Sequence, residues 1–144
     1  MRKERAQMIL PDNVLKLIDP ADRRRYAAGQ LTAEEAQAKA AARLERDEQR
    51  VMAGWLAFQE QAGLLCYDWS RTDKRATCRR GMPDFKIYRQ NRALLAEMKI
   101  GPAKLSADQE AMRARFERTG CLTEVWPSAD FGIKRVREWL NQGT

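Results

Sequence analysis

The chain has 144 residues, a length that predicts one domain with at most a short extension. Lys and Arg number 27 against 20 Asp and Glu, and the resulting charge of +7 favours a polyanionic partner, most often nucleic acid. Histidine is absent, which excludes a Ser-His-Asp triad, a histidine zinc site and a histidine general base. Acid–base chemistry must therefore come from carboxylates, Lys, Tyr, Cys or a metal-bound water.

Three scattered cysteines, Cys66, Cys78 and Cys121, form no C-x-x-C pair. They predict reduced, mostly buried thiols in a cytoplasmic protein. The sequence has no run of 18 apolar residues, so it predicts no transmembrane helix. The start Met1-Arg2-Lys3-Glu4-Arg5 is not followed by the apolar stretch of a signal peptide. We therefore expect no membrane partner.

Helix signals dominate the first part of the chain. Asp19-Pro20, an N-cap followed by proline at the first helical position, predicts a short helix that ends at Gly29. Thr32-Ala33-Glu34-Glu35 is a capping box, which predicts a long helix over about residues 33–62. An apolar stripe at helical spacing follows in its second half, and we predict that this stripe faces the core. Its members are Leu44, Val51, Trp55, Phe58 and Ala62.

Strands and helices follow one another in the rest of the chain. Period-two patterns and turn residues predict four strands, the second and third forming a hairpin. The strands are Leu64–Trp69, Asp84–Tyr88, Ala93–Ile100 and Leu122–Trp126. A second capping box, Ser106-Ala107-Asp108-Gln109, opens a helix to about Thr119, and a last helix covers about Asp130–Leu140. The order α-β-β-β-α-β-α predicts a mixed α/β fold.

Basic charge is concentrated in one predicted loop. Five basic residues and one acid lie between Arg71 and Arg80, so this segment carries a net charge of +4. It leads directly into Gly81-Met82-Pro83-Asp84. Two interpretations stay open: a solvated charge run, or a loop that contacts phosphates beside a carboxylate site.

Carboxylates and a lysine share one face of the predicted hairpin. Glu97 and Lys99, two apart in a strand, project to the same side, and Asp84 can approach Glu97 if the register allows. Converging carboxylates suit Mg²⁺, and Lys99 could orient or deprotonate a water or stabilise the phosphate. The alternative is a solvated face of an ordinary hairpin. Asp84-Phe85-Lys86 is a second acid-x-Lys triplet, so at least one of the two is incidental.

The ordered set Gly81–Asp84, Glu97–Lys99, Lys104–Gln109 and Gly120 resembles the VRR-NUC branch of the PD-(D/E)xK nuclease superfamily, over roughly residues 45–128. The resemblance implies a restriction-endonuclease-like αβββαβ core with a small mixed sheet flanked by helices. It also implies metal-dependent phosphodiester hydrolysis in branched DNA, such as four-way junctions or flaps. Small stand-alone members of the family resemble junction resolvases that act as dimers, so we expect a homodimer.

The same resemblance implies roles for individual residues. Asp84 and Glu97 are metal ligands, joined by the backbone carbonyl of Met98, and the ion is Mg²⁺ with Mn²⁺ as a substitute. Lys99 is the catalytic lysine. Gln109 is the glutamine that the family keeps on the helix after the lysine strand, and it completes the catalytic set.

Glu48 matches the acid that the family carries on its first core helix, and it would be a further metal ligand. It lies between Leu44 and Val51 in the apolar stripe, where burial without a partner is costly. A partly exposed position at the edge of the stripe is the alternative. Gln109 also has a second explanation as the N3 residue of its capping box, and both roles can hold.

These inferences predict an N-terminal helical extension over residues 1–44 and a nuclease domain over residues 45–144. We expect a Mg²⁺-dependent endodeoxyribonuclease of bacterial or phage type, acting on a nucleoid-associated substrate. The alternative is a non-catalytic basic DNA-binding module on the same fold. The predicted DNA contacts are Arg71, Lys74, Arg75, Arg79, Arg80 and Lys104.

Overall fold

The computed structural model describes residues 10–70, 80–101 and 104–142, and within them it has five helices and a four-stranded sheet. The helices are α1 (Asp12–Leu15), α2 (Pro20–Ala27), α3 (Ala33–Gln61), α4 (Ala107–Arg118) and α5 (Ala129–Asn141). The strands are β1 (Cys66–Trp69), β2 (Phe85–Arg89), β3 (Arg92–Met98) and β4 (Leu122–Trp126). The expected mixed α/β fold class is confirmed. Among the described helices, none combines the length and apolar content needed to cross a membrane.

Helix starts follow the capping signals of the sequence. The Asp19 carboxylate accepts a hydrogen bond from the Ala21 amide at 2.8 Å, so α2 begins at Pro20. The Thr32 hydroxyl accepts from the Glu35 amide at 3.1 Å, so α3 begins at Ala33. The single turn of α1 follows Pro11 and was not predicted.

The chain forms two compact units, the first ending at Asp47 and the second beginning at Glu48. The first unit has an apolar cluster of its own, to which the Ala-rich half of α3 contributes Ala36 and Ala40. Both alanines are buried, because small side chains let neighbouring segments approach the helix. The predicted boundary between residues 44 and 45 lies three residues earlier, and the assignment of a nuclease domain stays a prediction.

The sheet of the second unit has the order β1-β2-β3-β4. The pairs β1–β2 and β2–β3 are antiparallel, and β3–β4 is parallel. Strand alternation directs one face into the core, where it meets α3 and α5. The fully buried members on the sheet are Phe85, Ile87, Leu94, Ala96, Met98 and Trp126. Trp139 is also buried and Trp55 and Trp69 pack against this cluster, so the tryptophans serve the core.

The predicted core stripe of α3 is only partly right: Trp55 packs against the core, but the most buried face lies about one residue of rotation away. The buried face carries Gln49, Met52 and Leu56, whereas Val51 is 56% and Phe58 69% exposed. One residue turns a helix by about 100°, so adjacent stripes face different directions. Periodicity identified the helix, but the choice between two apolar stripes depended on the sheet beneath it. The expectation of mostly buried thiols also fails at Cys66, which is exposed.

Candidate active site

Asp84 and Glu97 meet at one end of the sheet. The register pairs Phe85 with Ala96, so the next position along the hairpin sets Asp84 opposite Glu97. The Glu97 carboxyl is close enough to Asp84 to influence its pKa. Both side chains are buried, at 4% and 8% exposure. The Met98 amide donates a hydrogen bond to Asp84 Oδ2 at 2.9 Å, which holds the first carboxylate against the end of β3.

The environment of this pair disfavours two negative charges. Burial raises the pKa of Asp84, although the Met98 amide, the Glu97 carboxyl and the charge of Lys99 each favour its ionised form. Two adjacent carboxylates repel one another when both ionise, most strongly where water is excluded. A pair of this kind is typical of sites that bind a cation or handle protons.

The lysines of the two acid-x-Lys triplets lie in different surroundings. Lys99 is half-buried on the Glu97 side of β3, and its charge acts on Asp84. Lys86 instead faces its cross-strand neighbour Asp68, with Nζ 3.4 Å from Oδ2. The lysine that accompanies the carboxylate pair is therefore Lys99.

Gln109 holds the second carboxylate in place and caps a helix at the same time. Its Nε2 donates to Glu97 Oε1 at 2.7 Å, while its Oε1 accepts from the Ser106 amide at 2.9 Å. The Ser106 hydroxyl completes the capping box by accepting from the Gln109 amide at 3.2 Å. Both explanations from the sequence hold, and the start of α4 is tied to the position of Glu97.

Gly81 brings the segment before Asp84 against the first turn of α4. Its φ is +82°, and an added Cβ would overlap the carbonyl group of Asp108 and lie 2.8 Å from the Gln109 nitrogen. Only glycine combines this backbone conformation with this approach. A cavity of about 20 Å³, room for one water, remains between Gly81, Glu97 and Gln109.

Glu48 lies at the same end of the sheet but binds elsewhere. Its Oε2 accepts a hydrogen bond from the Ala129 amide at 2.8 Å, the first residue of α5. Ala129 follows β4 closely, and β4 runs parallel to β3, so this helix start and the carboxylate pair share one edge. The free amides at a helix start attract a carboxylate, which accounts for this position. In the described ranges no three Asp, Glu or Cys side chains cluster as metal ligands, and the role of Glu48 as a further ligand stays a prediction.

The predicted DNA contacts are only partly within the described residues. Arg80 and Lys104 are exposed. Arg71, Lys74, Arg75 and Arg79 lie outside the described residues.

One residue of this sheet face was missed by the sequence analysis. Asp84 directly precedes β2, and Lys86 and Tyr88 follow it at steps of two residues, so the three side chains share a face. Tyr88 is 42% exposed, and its cross-strand partner Cys66 is exposed as well. The available signal was the i, i+2, i+4 spacing from Asp84.

Comparison of the chain with protein-family models, with curated proteins and with solved structures finds no match. The chemistry of the site must therefore be argued from its own geometry. Two buried carboxylates, a lysine and an orienting amide can hold a hard cation, orient a water and offset negative charge on a reacting group.

Proposed function

We propose that the protein is a metal-dependent, structure-selective DNA endonuclease that hydrolyses phosphodiester bonds in branched DNA. The observation that carries the proposal is the buried Asp84–Glu97 pair with Lys99 beside it. Carboxylates repel phosphates, so a surface used only to bind DNA gains nothing from burying two of them together. A nuclease needs them, because a cation held between carboxylates and phosphate reverses that repulsion.

The donor set fits Mg²⁺, or Mn²⁺ in its place. Oxygens of Asp84 and Glu97, with the backbone carbonyl of Met98, would hold the ion, and water would complete its shell. When bound, such an ion lowers the pKa of a coordinated water and offsets charge on the phosphate. The fit rests on the burial of two adjacent carboxyl groups, which a divalent cation would satisfy.

The side chains around the ion have separate tasks in this proposal. The Lys99 ammonium donates hydrogen bonds to the attacking water or to a phosphate oxygen. Gln109 fixes the orientation of Glu97 through the 2.7 Å hydrogen bond. Neither task requires histidine, in agreement with a composition that has none.

A non-catalytic DNA-binding module is the competing candidate. The net charge of +7 and the exposed Arg80 and Lys104 favour binding to a polyanion whether or not the strand is cut. Binding without cleavage under every metal condition would favour this candidate.

The test is incubation with four-way junction, flap, linear duplex and single-stranded DNA, in Mg²⁺, in Mn²⁺ and in chelator. We expect cleavage of the branched substrates with either metal and none with chelator. Lys99→Ala should bind DNA without cutting it, because the carboxylates that bind the metal ion stay but the ammonium group of Lys99 is lost. Lys86→Ala is the matched control and should still cut, since Lys86 pairs with Asp68. Cutting by Lys99→Ala, or loss of cutting by Lys86→Ala alone, would contradict the assignment.

We also propose that two copies associate through the exposed face of α3 that carries Val51, Gly54 and Phe58. Gly54 is exposed in the middle of the helix, and an added Cβ would meet nothing within 4 Å. Glycine costs a helix about 1 kcal/mol relative to alanine, and nothing among the described residues requires it here. A second helix crossing at Gly54 would explain both the glycine and the exposed side chains beside it.

A further inference from the structure

An open pocket of about 410 Å³ lies at the far end of β1 and β2 from the carboxylate pair. Leu64, Cys66 and Tyr88 contribute to its wall, together with Arg89 and Gln90 at the hairpin turn. Leu64 is 40% and Tyr88 42% exposed. The volume falls within the range of about 300–1,000 Å³ that is typical of small-ligand sites.

The lining has the chemistry of a nucleobase site. Tyr88 offers a flat aromatic face and Leu64 an aliphatic one, between which a planar base can lie. Arg89 contributes to the wall at the end of β2 and makes the surroundings of the pocket basic, and the Gln90 amide supplies a donor and an acceptor. None of the described residues that line the pocket is acidic. Both the apolar walls and the positive charge therefore suit a nucleotide.

The pocket is in line with the carboxylate pair. Asp84, Lys86 and Tyr88 share one face of the sheet, and four residues of strand span about 13 Å at about 3.3 Å each. Nucleotides in a stacked strand are about 3.4 Å apart, so the interval corresponds to no more than about four nucleotides. One strand can therefore reach both places.

We propose that Tyr88 stacks an unpaired base of the strand whose phosphodiester bond lies at Asp84 and Glu97. A base inside a duplex has both faces covered by its neighbours, so only an unpaired one can stack on Tyr88. The inference rests on the proposed function and deepens it, because it names the substrate class: a strand with unpaired bases within about four nucleotides of the cut, as at a flap or an open junction. Fully paired linear DNA leaves the pocket empty.

The test uses oligonucleotides with 2-aminopurine in a single-stranded flap and in a matched duplex, bound in chelator so that no cleavage occurs. Wild type and Tyr88→Phe should quench the fluorescence of the flap probe, because both keep the aromatic ring. Tyr88→Ala should lose the quenching and bind the flap about tenfold more weakly, while duplex affinity stays unchanged. Phe131→Ala is the control, since Phe131 is 43% exposed on α5 and does not line the pocket.

Equal weakening of flap and duplex binding by Tyr88→Ala, equal quenching by Tyr88→Ala, or the same loss in Phe131→Ala would overturn the inference. Because binding is measured without metal, this outcome is separate from that of the endonuclease proposal. If the protein quenches through Tyr88 but never cuts, the base-site inference stands and the endonuclease proposal fails. If it cuts but does not quench, the endonuclease proposal stands and the base-site inference fails.

Discussion

At the scale of single residues, the site is built from side chains that each satisfy a second requirement of the fold. Gln109 caps α4 and binds Glu97. Asp84 accepts the Met98 amide at the end of β3 and faces Glu97. Such double use ties the geometry of the carboxylate pair to the stability of the neighbouring elements. A substitution can separate the effect on the site from the effect on stability only where different atoms of the side chain serve the two purposes.

Gly81 provides the sharpest steric prediction. Gly81→Ala adds a Cβ that overlaps the Asp108 carbonyl group and also forces alanine into positive φ, so we expect a loss of about 3 kcal/mol in the free energy of unfolding. Gly63→Ala is the matched control, because Gly63 has φ +76° with nothing within 4 Å of an added Cβ. It should cost only about 1 kcal/mol. Urea titrations measure both; equal losses would mean that the close approach to α4 is unimportant.

Gln109 allows its capping and positioning roles to be separated. Gln109→Glu keeps an oxygen for the Ser106 amide but replaces the donor to Glu97 with a negative charge. We expect nuclease activity to fall at least tenfold. The added carboxylate also repels the buried Glu97, so the melting temperature of the metal-free protein should fall as well. Ser106→Ala removes the cap instead and should lower stability by about 1 kcal/mol with activity largely retained. Activity retained by Gln109→Glu in cleavage assays would make Gln109 a structural residue alone.

At the scale of elements, α3 carries two apolar faces. The face with Met52 and Leu56 is buried against the core of the second unit, and the face with Val51 and Phe58 is exposed. Glu48 meanwhile joins α3 to the start of α5 through the Ala129 amide. The helix therefore has its core face satisfied within the chain and leaves the other face for a second copy in our proposal.

The dimer proposal predicts opposite effects of one substitution on folding and on association. Gly54→Ala should stabilise the dilute protein by about 1 kcal/mol, because alanine is the better helix former and the Cβ meets nothing. It should also weaken self-association measured by sedimentation equilibrium, since a Cβ would separate two crossing helices. Phe58→Ser should weaken association too, whereas Phe131→Ser on α5 should leave it unchanged. Association unaffected by both α3 variants would place the interface elsewhere.

At the scale of the whole molecule, the balance of charge determines how DNA is attracted. The net charge is +7, and a net +4 of it belongs to the segment from Arg71 to Arg80. Binding to duplex DNA releases counterions in proportion to the phosphates that the protein neutralises, which makes affinity fall with salt. Where the charge lies therefore matters more than its total.

Replacing Arg75, Arg79 and Arg80 together by alanine should weaken binding to every DNA form. On duplex DNA, the slope of log affinity against log salt should become shallower by about 0.9 for each phosphate that the variant fails to neutralise. The control replaces the exposed Lys16, Arg23 and Arg24 of the first unit, which also lowers the net charge from +7 to +4. Fluorescence anisotropy over a salt series distinguishes them. Equal slopes in the two triple variants would mean that the segment from Arg71 to Arg80 acts only through its share of the net charge.

Local chemistry determined much of this protein from its sequence alone. The caps at Asp19, Thr32 and Ser106 predict where three helices begin, because the bonds that decide a helix start join residues two or three apart. Strand alternation likewise set Glu97 and Lys99 on one face. The fold class followed from the order of these elements.

Only the tertiary structure decided which distant groups meet. The hairpin register set Asp84 opposite Glu97, the sheet selected the Met52 face of α3, and the start of α5 took the Glu48 carboxylate. Each outcome depends on contacts between segments far apart in the chain, for which residue spacing carries no signal. A one-residue rotation of a helix or shift of a strand exchanges one set of neighbours for another without changing the local pattern.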